Sequence, residues 1–219
     1  MAAPEQQQPG QRTSGPVQPS GPEPKPRRRG SGLQGQLIGR PFGVPIYISP
    51  SWLLFVGVIT VWFAPVVATE VPGIGSPRYL VAATFGVFLG LSVLAHEIAH
   101  CVVARRFRIP IERITLSFLA GHSVLAEEPK TPGRASAVAA AGPIANLVIA
   151  VGSWVALRQF PVGGIGAILA AGLAWSNAVV GVYNALPGLP LDGGQLLRAA
   201  IWRVTGSVRR GTIGAAWAG

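Results

Sequence analysis

Four long apolar runs dominate this 219-residue chain, and they leave it few possible folds. Trp52–Ala68, Ala135–Leu157 and Ile165–Leu186 contain no Asp, Glu, Lys, Arg or His. Leu80–Ala104 contains such residues only at His96, Glu97 and His100. A helix needs about 20 residues, within a range of about 17–25, to cross the hydrocarbon core of a bilayer. All four runs fall near that range. Lipid offers no partner to backbone N–H and C=O groups, so a spanning segment must satisfy them internally, as a helix does. Only 12% of the residues are charged, against about 25% in an ordinary soluble domain. A water-soluble fold of this length would be short of charge to cover itself. The expected fold is an all-α polytopic membrane protein with four transmembrane helices, and a further apolar stretch beginning at Ile213 reads as the start of a fifth.

The net charge of +10 raises the possibility of a nucleic-acid partner, but the placement of the charges answers against it. All of the 18 basic residues except Arg78 and Arg158 fall in three stretches: before the first run, between the second and third, and after the fourth. Alternating spans put those three stretches on one side, which the positive-inside rule makes the cytoplasm. The high pI is thus expected to reflect topology in a cell membrane, with a cytoplasmic N-terminus. Residues 1–35 are rich in Pro, Gly, Gln and Ser with a basic run at Lys25 and Arg27–Arg29, and are expected to be a disordered tail. They are not a signal peptide, because the first apolar run begins only near Trp52. Residues 36–204 would form the membrane core and 205–219 the start of a truncated apolar segment. The preference for Arg over Lys and the abundant Ala suit a bacterium of high G+C content. The lone Cys101 excludes an intrachain disulfide framework and, inside an apolar run, reads as a packing residue.

Between the second and third runs, Ile114–Phe118 alternates like a strand, Ala120-Gly121 offers a turn, and Ser123–Leu125 can return antiparallel. Two readings of this short membrane-associated β-hairpin stand side by side. It is an amphipathic hairpin at the interface, or an edge strand that holds an extended substrate by strand addition.

The histidines carry the chemistry. His96 and His100, four residues apart, lie one turn apart on the same helix face. Two imidazoles so placed can reach one zinc ion, with Glu97 beside it as a candidate general base. Counting back from Arg105 at about 1.5 Å per residue puts His96 roughly 13 Å inside the boundary. An acidic residue at mid-membrane costs on the order of 2.5–3.5 kcal/mol, so Glu97 calls for a compensating metal or a wet cavity. Two metal-free histidines packed in a helix core are the bland alternative. A catalytic zinc usually takes three protein ligands, and His122 is the only other histidine. A carboxylate is therefore expected as the third, and Asp192 follows the fourth run on the same side. Its segment, Asn184 to Gly194, holds Pro187, Pro190, Gly188, Gly193 and Gly194, which argues against a continuous helix.

His96-Glu97-Ile98-Ala99-His100, Gly142-Pro143-Ile144-Ala145-Asn146 and the NALPGLPLDGG stretch from Asn184 together resemble the site-2 protease family of intramembrane zinc metalloproteases. Phe42-Gly43-Val44-Pro45-Ile46 resembles the subgroup that often carries C-terminal CBS regulatory domains. The resemblance covers residues 36–203. It implies zinc ligands at His96, His100 and Asp192, a catalytic glutamate at Glu97, and a carbonyl- or oxyanion-holding amide at Asn184. Asn146 falls in a family motif whose asparagine equally suits helix packing. His122 stands where relatives commonly have a glycine and reads as an interfacial histidine, against an extra metal contact. The implied reaction is peptide-bond hydrolysis in membrane-anchored proteins, single-span regulators such as anti-sigma factors among them. A metal transporter would need a relay of ligands across the bilayer, which the first and third runs do not offer. An inactive scaffold would keep the fold without the chemistry.

Overall fold

The computed structural model describes residues 35–118, 121–159 and 163–219. The expected disordered tail, apart from Gly35, and Ala120 of the expected turn lie outside the described residues. Each apolar run forms one helix: α1 Ser51–Glu70, α2 Arg78–Arg106, α3 Pro132–Gln159 and α4 Gly164–Asn184. All four are long and apolar enough to cross a membrane. The shortest, with 20 residues, measures about 30 Å, the thickness of the hydrocarbon core. Their outward faces are greasy: Trp62, Leu80, Val148 and Trp175 are each 65–75% exposed. Apolar surface on that scale is unfavourable in water and suits lipid.

Inside the bundle, α1 and α2 pack through Phe63, Val67 and Phe85, whose two phenyl rings stack at 4.0 Å. Leu169 and Leu173 of α4 close this cluster from the side. α3 packs against both α2 and α4 and so forms the wall that the histidines of α2 face.

The sheet is larger than the hairpin expected from the sequence. Four strands, β1 Gln36–Gly39, β2 Ile46–Ile48, β3 Ile111–Leu116 and β4 Gly121–Leu125, lie in the order β1-β2-β3-β4. β3 and β4 are antiparallel as expected, with Thr115 opposite His122. β2 pairs parallel with β3, although α1 and α2 separate them in sequence. The first two strands are short, with Pro41 and Pro45 between them, so alternation alone does not reveal them. The sheet packs on α2 through Val44, Ile46 and Ile114, and Cys101 sits buried in that small core.

After α4 the chain turns through 185–191 and enters α5, Asp192–Thr205; a ten-residue α6, Val208–Trp217, packs on α5. The expected break in the helix is there, at residues 185–191, but it is shorter than the stretch of prolines and glycines. Helix breaking stops at Leu191, and Gly193 and Gly194 lie inside the first turn of α5. Their role is steric. A Cβ on Gly193 would overlap the carbonyl oxygens of Ala185 and Leu186, and one on Gly194 would lie 2.5 Å from Gly188 O. The two glycines let α5 start directly against the end of α4, which brings Asp192 to α2.

Candidate metal centre

His96, Glu97 and His100 lie on the inward face of α2 and are each no more than 7% exposed. Each imidazole is held from behind. His96 Nδ1 lies 2.5 Å from Asn146 Oδ1, and His100 Nδ1 lies 2.7 Å from Val138 O, both partners belonging to α3. The opposite ring nitrogens converge, with His96 Nε2 and His100 Nε2 3.1 Å apart. Asp192 Oδ2 stands 3.1 Å from the first and 3.4 Å from the second.

These separations suit a metal ion. Zinc binds imidazole nitrogen at about 2.0–2.1 Å and carboxylate oxygen at about 2.0–2.2 Å, so tetrahedral ligand atoms sit roughly 3.3 Å apart. Asp192 Oδ2 is buried without a hydrogen-bond partner, as a ligand oxygen would be before its cation is added. Asp192 heads α5, outside the four spanning helices. Burial pushes its carboxyl up, but the His100 and His96 imidazoles, in their protonated form, outweigh this and hold it at about 2. It is therefore ionised at neutral pH, the state that ligation requires. Among the described residues, His96, His100 and Asp192 are the one group of three whose ligand atoms gather this closely.

The backbone around the histidines leaves no room for side chains. At Gly142 of α3 a Cβ would overlap His100 Nε2 and lie 2.5 Å from His96 Nε2. α3 can therefore approach the centre only with glycine at that position. Gly121 does the same for Glu97 on the other side: a Cβ there would fall 2.6 Å from Glu97 Cγ and 3.1 Å from its Oε1. Gly121→Ala is accordingly expected to push the carboxylate aside and slow any reaction it serves roughly tenfold, since small misplacements of a reacting group are costly. Steady-state cleavage rates, with zinc content measured in parallel, check this.

The centre opens onto a cavity of about 690 Å³. Its walls include β4, the end of α4 and α5, contributing His122, Ser123, Asn184, Gln195, Arg198 and Trp202. Asn184 is within this cavity, its Nδ2 donating to Val180 O at 3.1 Å. His122 is exposed on β4 and lines the same space, outside the three-residue group. Arg198 donates to Glu128 at 2.8 Å, both residues lining the cavity. Among the described residues, the centre is thus lined by α2, α3 and the end of α4 together with β4 and α5.

Of the polar residues behind His96, the sequence points to Asn146 only as part of a motif and does not single out Asn177 or Ser92. Asn146 lies against that imidazole and also donates to Asn177 of α4, and Asn177 donates to Ser92 of α2. The available signal was the cost of an amide in lipid, which makes each asparagine of an apolar run a request for a polar partner.

A family model described as peptidase family M50 matches residues 84–172 and 162–218. A Synechocystis protein provisionally named zinc metalloprotease sll0528 is 34% identical over 176 residues, covering 80% of this chain and 46% of the relative. A Mycobacterium tuberculosis protein provisionally named zinc metalloprotease Rip3 is 37% identical over 187 residues, covering 83% and 47%. The chain therefore spans about half the length of the curated relatives it matches. The solved structure of a site-2 protease from Methanocaldococcus jannaschii superimposes with a TM-score of 0.57 at 25% identity, covering 77% of this chain and 72% of that one.

Proposed function

Because the chain belongs to peptidase family M50, the site-2 protease family, we propose that it hydrolyses peptide bonds within or near the membrane-spanning segment of membrane-anchored proteins. The observation that carries this reading is the convergence of His96, His100 and Asp192 inside a spanning bundle, beside the buried carboxylate of Glu97. In this reading the three residues hold one zinc ion, which supplies Lewis acidity and lowers the pKa of a bound water towards about 7.

The chain's own groups do the rest. Glu97 takes a proton from the attacking water and delivers it to the leaving amine. Asn184 spends one Nδ2 hydrogen on Val180 O and keeps the other to donate to the oxyanion of the scissile carbonyl. A helical substrate hides its carbonyls in internal hydrogen bonds, so the scissile stretch must first unwind. β4 ends the sheet order and lines the cavity, and an extended peptide would add to it as a further strand. The distribution of basic residues supports a cytoplasmic-side centre in the cell membrane, and the preference for Arg over Lys with abundant Ala suits a bacterial one. Single-span regulators, anti-sigma factors among them, are the substrate class in this reading.

The test is the purified chain in liposomes with a single-span reporter. Expected are one zinc per chain, reporter cleavage, loss of cleavage on chelation, and recovery on adding Zn2+. Stoichiometric zinc without cleavage would favour an inactive scaffold. Zinc flux into the liposomes without cleavage would favour a carrier.

A further inference from the structure

The buried amides behind His96 have a direction, and the direction has a chemical consequence. It can be read from two backbone carbonyls, which only accept hydrogen bonds. Ser92 Oγ donates to Phe88 O at 3.1 Å, which leaves the hydroxyl oxygen free to accept. Asn177 Nδ2 donates to Leu173 O at 3.0 Å and to Ser92 Oγ at 3.1 Å, which uses both of its hydrogens. The Leu173 carbonyl thereby fixes which end of the Asn177 amide is nitrogen. Asn177 Oδ1 must then accept, and it accepts from Asn146 Nδ2 at 2.9 Å. This turns Asn146 Oδ1 towards His96 Nδ1. An oxygen there requires a proton on Nδ1, so the neutral imidazole keeps its lone pair on Nε2, the nitrogen facing His100 and Asp192.

We infer that Ser92, Asn177 and Asn146 form a polar relay across α2, α4 and α3 that holds His96 in its metal-binding tautomer. They are positioning residues, and none of them belongs to the three-residue ligand group. Both asparagines are essentially inaccessible, 1% exposed for Asn146 and fully buried for Asn177. Without its neighbour Asn177, the Asn146 amide would be free to rotate and offer Nδ2 to His96 Nδ1. That arrangement selects the tautomer protonated at Nε2, which cannot ligate. His100 needs no relay, because Val138 O accepts directly from its Nδ1.

This inference rests on the zinc reading of the centre, so the test measures metal binding in place of activity. The full chain in detergent is titrated with Zn2+ against a chromogenic chelator. Asn177→Leu is expected to weaken zinc 10- to 100-fold, the usual effect of losing an outer partner of a ligating histidine. The decisive variant is Asn146→Asp combined with Asn177→Leu. An ionised carboxylate at 146 accepts from Nδ1–H in either orientation and needs no relay, so affinity should return to within about threefold of wild type. If the double variant binds as weakly as Asn177→Leu, Asn177 matters only for packing and the relay is wrong. Should Asn177→Leu fail to fold, Asn146→Leu decides: it should lose zinc 10- to 100-fold. Wild-type affinity in Asn146→Leu overturns the relay. Absence of zinc binding by the wild-type chain would overturn the metal centre itself.

Discussion

Glu97→Gln should keep its zinc and lose roughly 10²- to 10⁴-fold in cleavage of a membrane-anchored reporter, the range that general acid–base catalysis supplies. Gln matches Glu in size and can stay beneath Gly121, where a Cβ would already come within 2.6 Å of Glu97 Cγ. The carboxamide cannot accept a proton at neutral pH, so the step that needs a base is lost while the fold persists. Glu97 lies outside the group of His96, His100 and Asp192, so zinc stoichiometry should remain at the wild-type level. Metal content and turnover, measured on the same sample, check both halves. Retention of wild-type turnover by this variant would falsify the proposed mechanism.

Gly142→Val should bind zinc about 100-fold more weakly, with Gly142→Ala in between. Overpacking a close contact costs about 1–3 kcal/mol, and each 1.4 kcal/mol is about tenfold in affinity. Valine belongs at the upper end. Its Cβ would overlap His100 Nε2 and lie 2.5 Å from His96 Nε2, so the rings or α3 must give way. Moving α3 would also pull Asn146 and Val138 from the two Nδ1 atoms they hold. Chelator competition on the folded, detergent-solubilised variant measures the loss. Wild-type affinity in Gly142→Val would mean that α3 does not press on the imidazoles as described.

Much of the architecture was legible before any coordinates. The four spans emerge within a few residues of their observed ends, because solvent preference is a local property of composition. The helix break expected between Asn184 and Gly194 is present, but Gly193 and Gly194 fall after it, inside α5. Propensity treats glycine as a helix breaker, yet here it permits a helix to begin in contact with the carbonyls of Ala185 and Leu186. The strands β1 and β2 escaped because they are short and pair with β3 only after α1 and α2 have intervened.

The candidate centre divides along the same line. Sequence alone determines that the chain prefers lipid, and that His96 and His100 share a face of one helix with Glu97 beside them. Both follow from short-range geometry, the hydropathy of a run and the 3.6-residue turn. Only the tertiary structure decides that Asp192 Oδ2 meets both Nε2 atoms at 3.1 and 3.4 Å. It alone sets Gly142 against the rings and links Ser92, Asn177 and Asn146 behind His96. Those contacts join residues far apart in the chain. Their meeting depends on how closely whole helices pack and in what rotation, which no single segment encodes by itself.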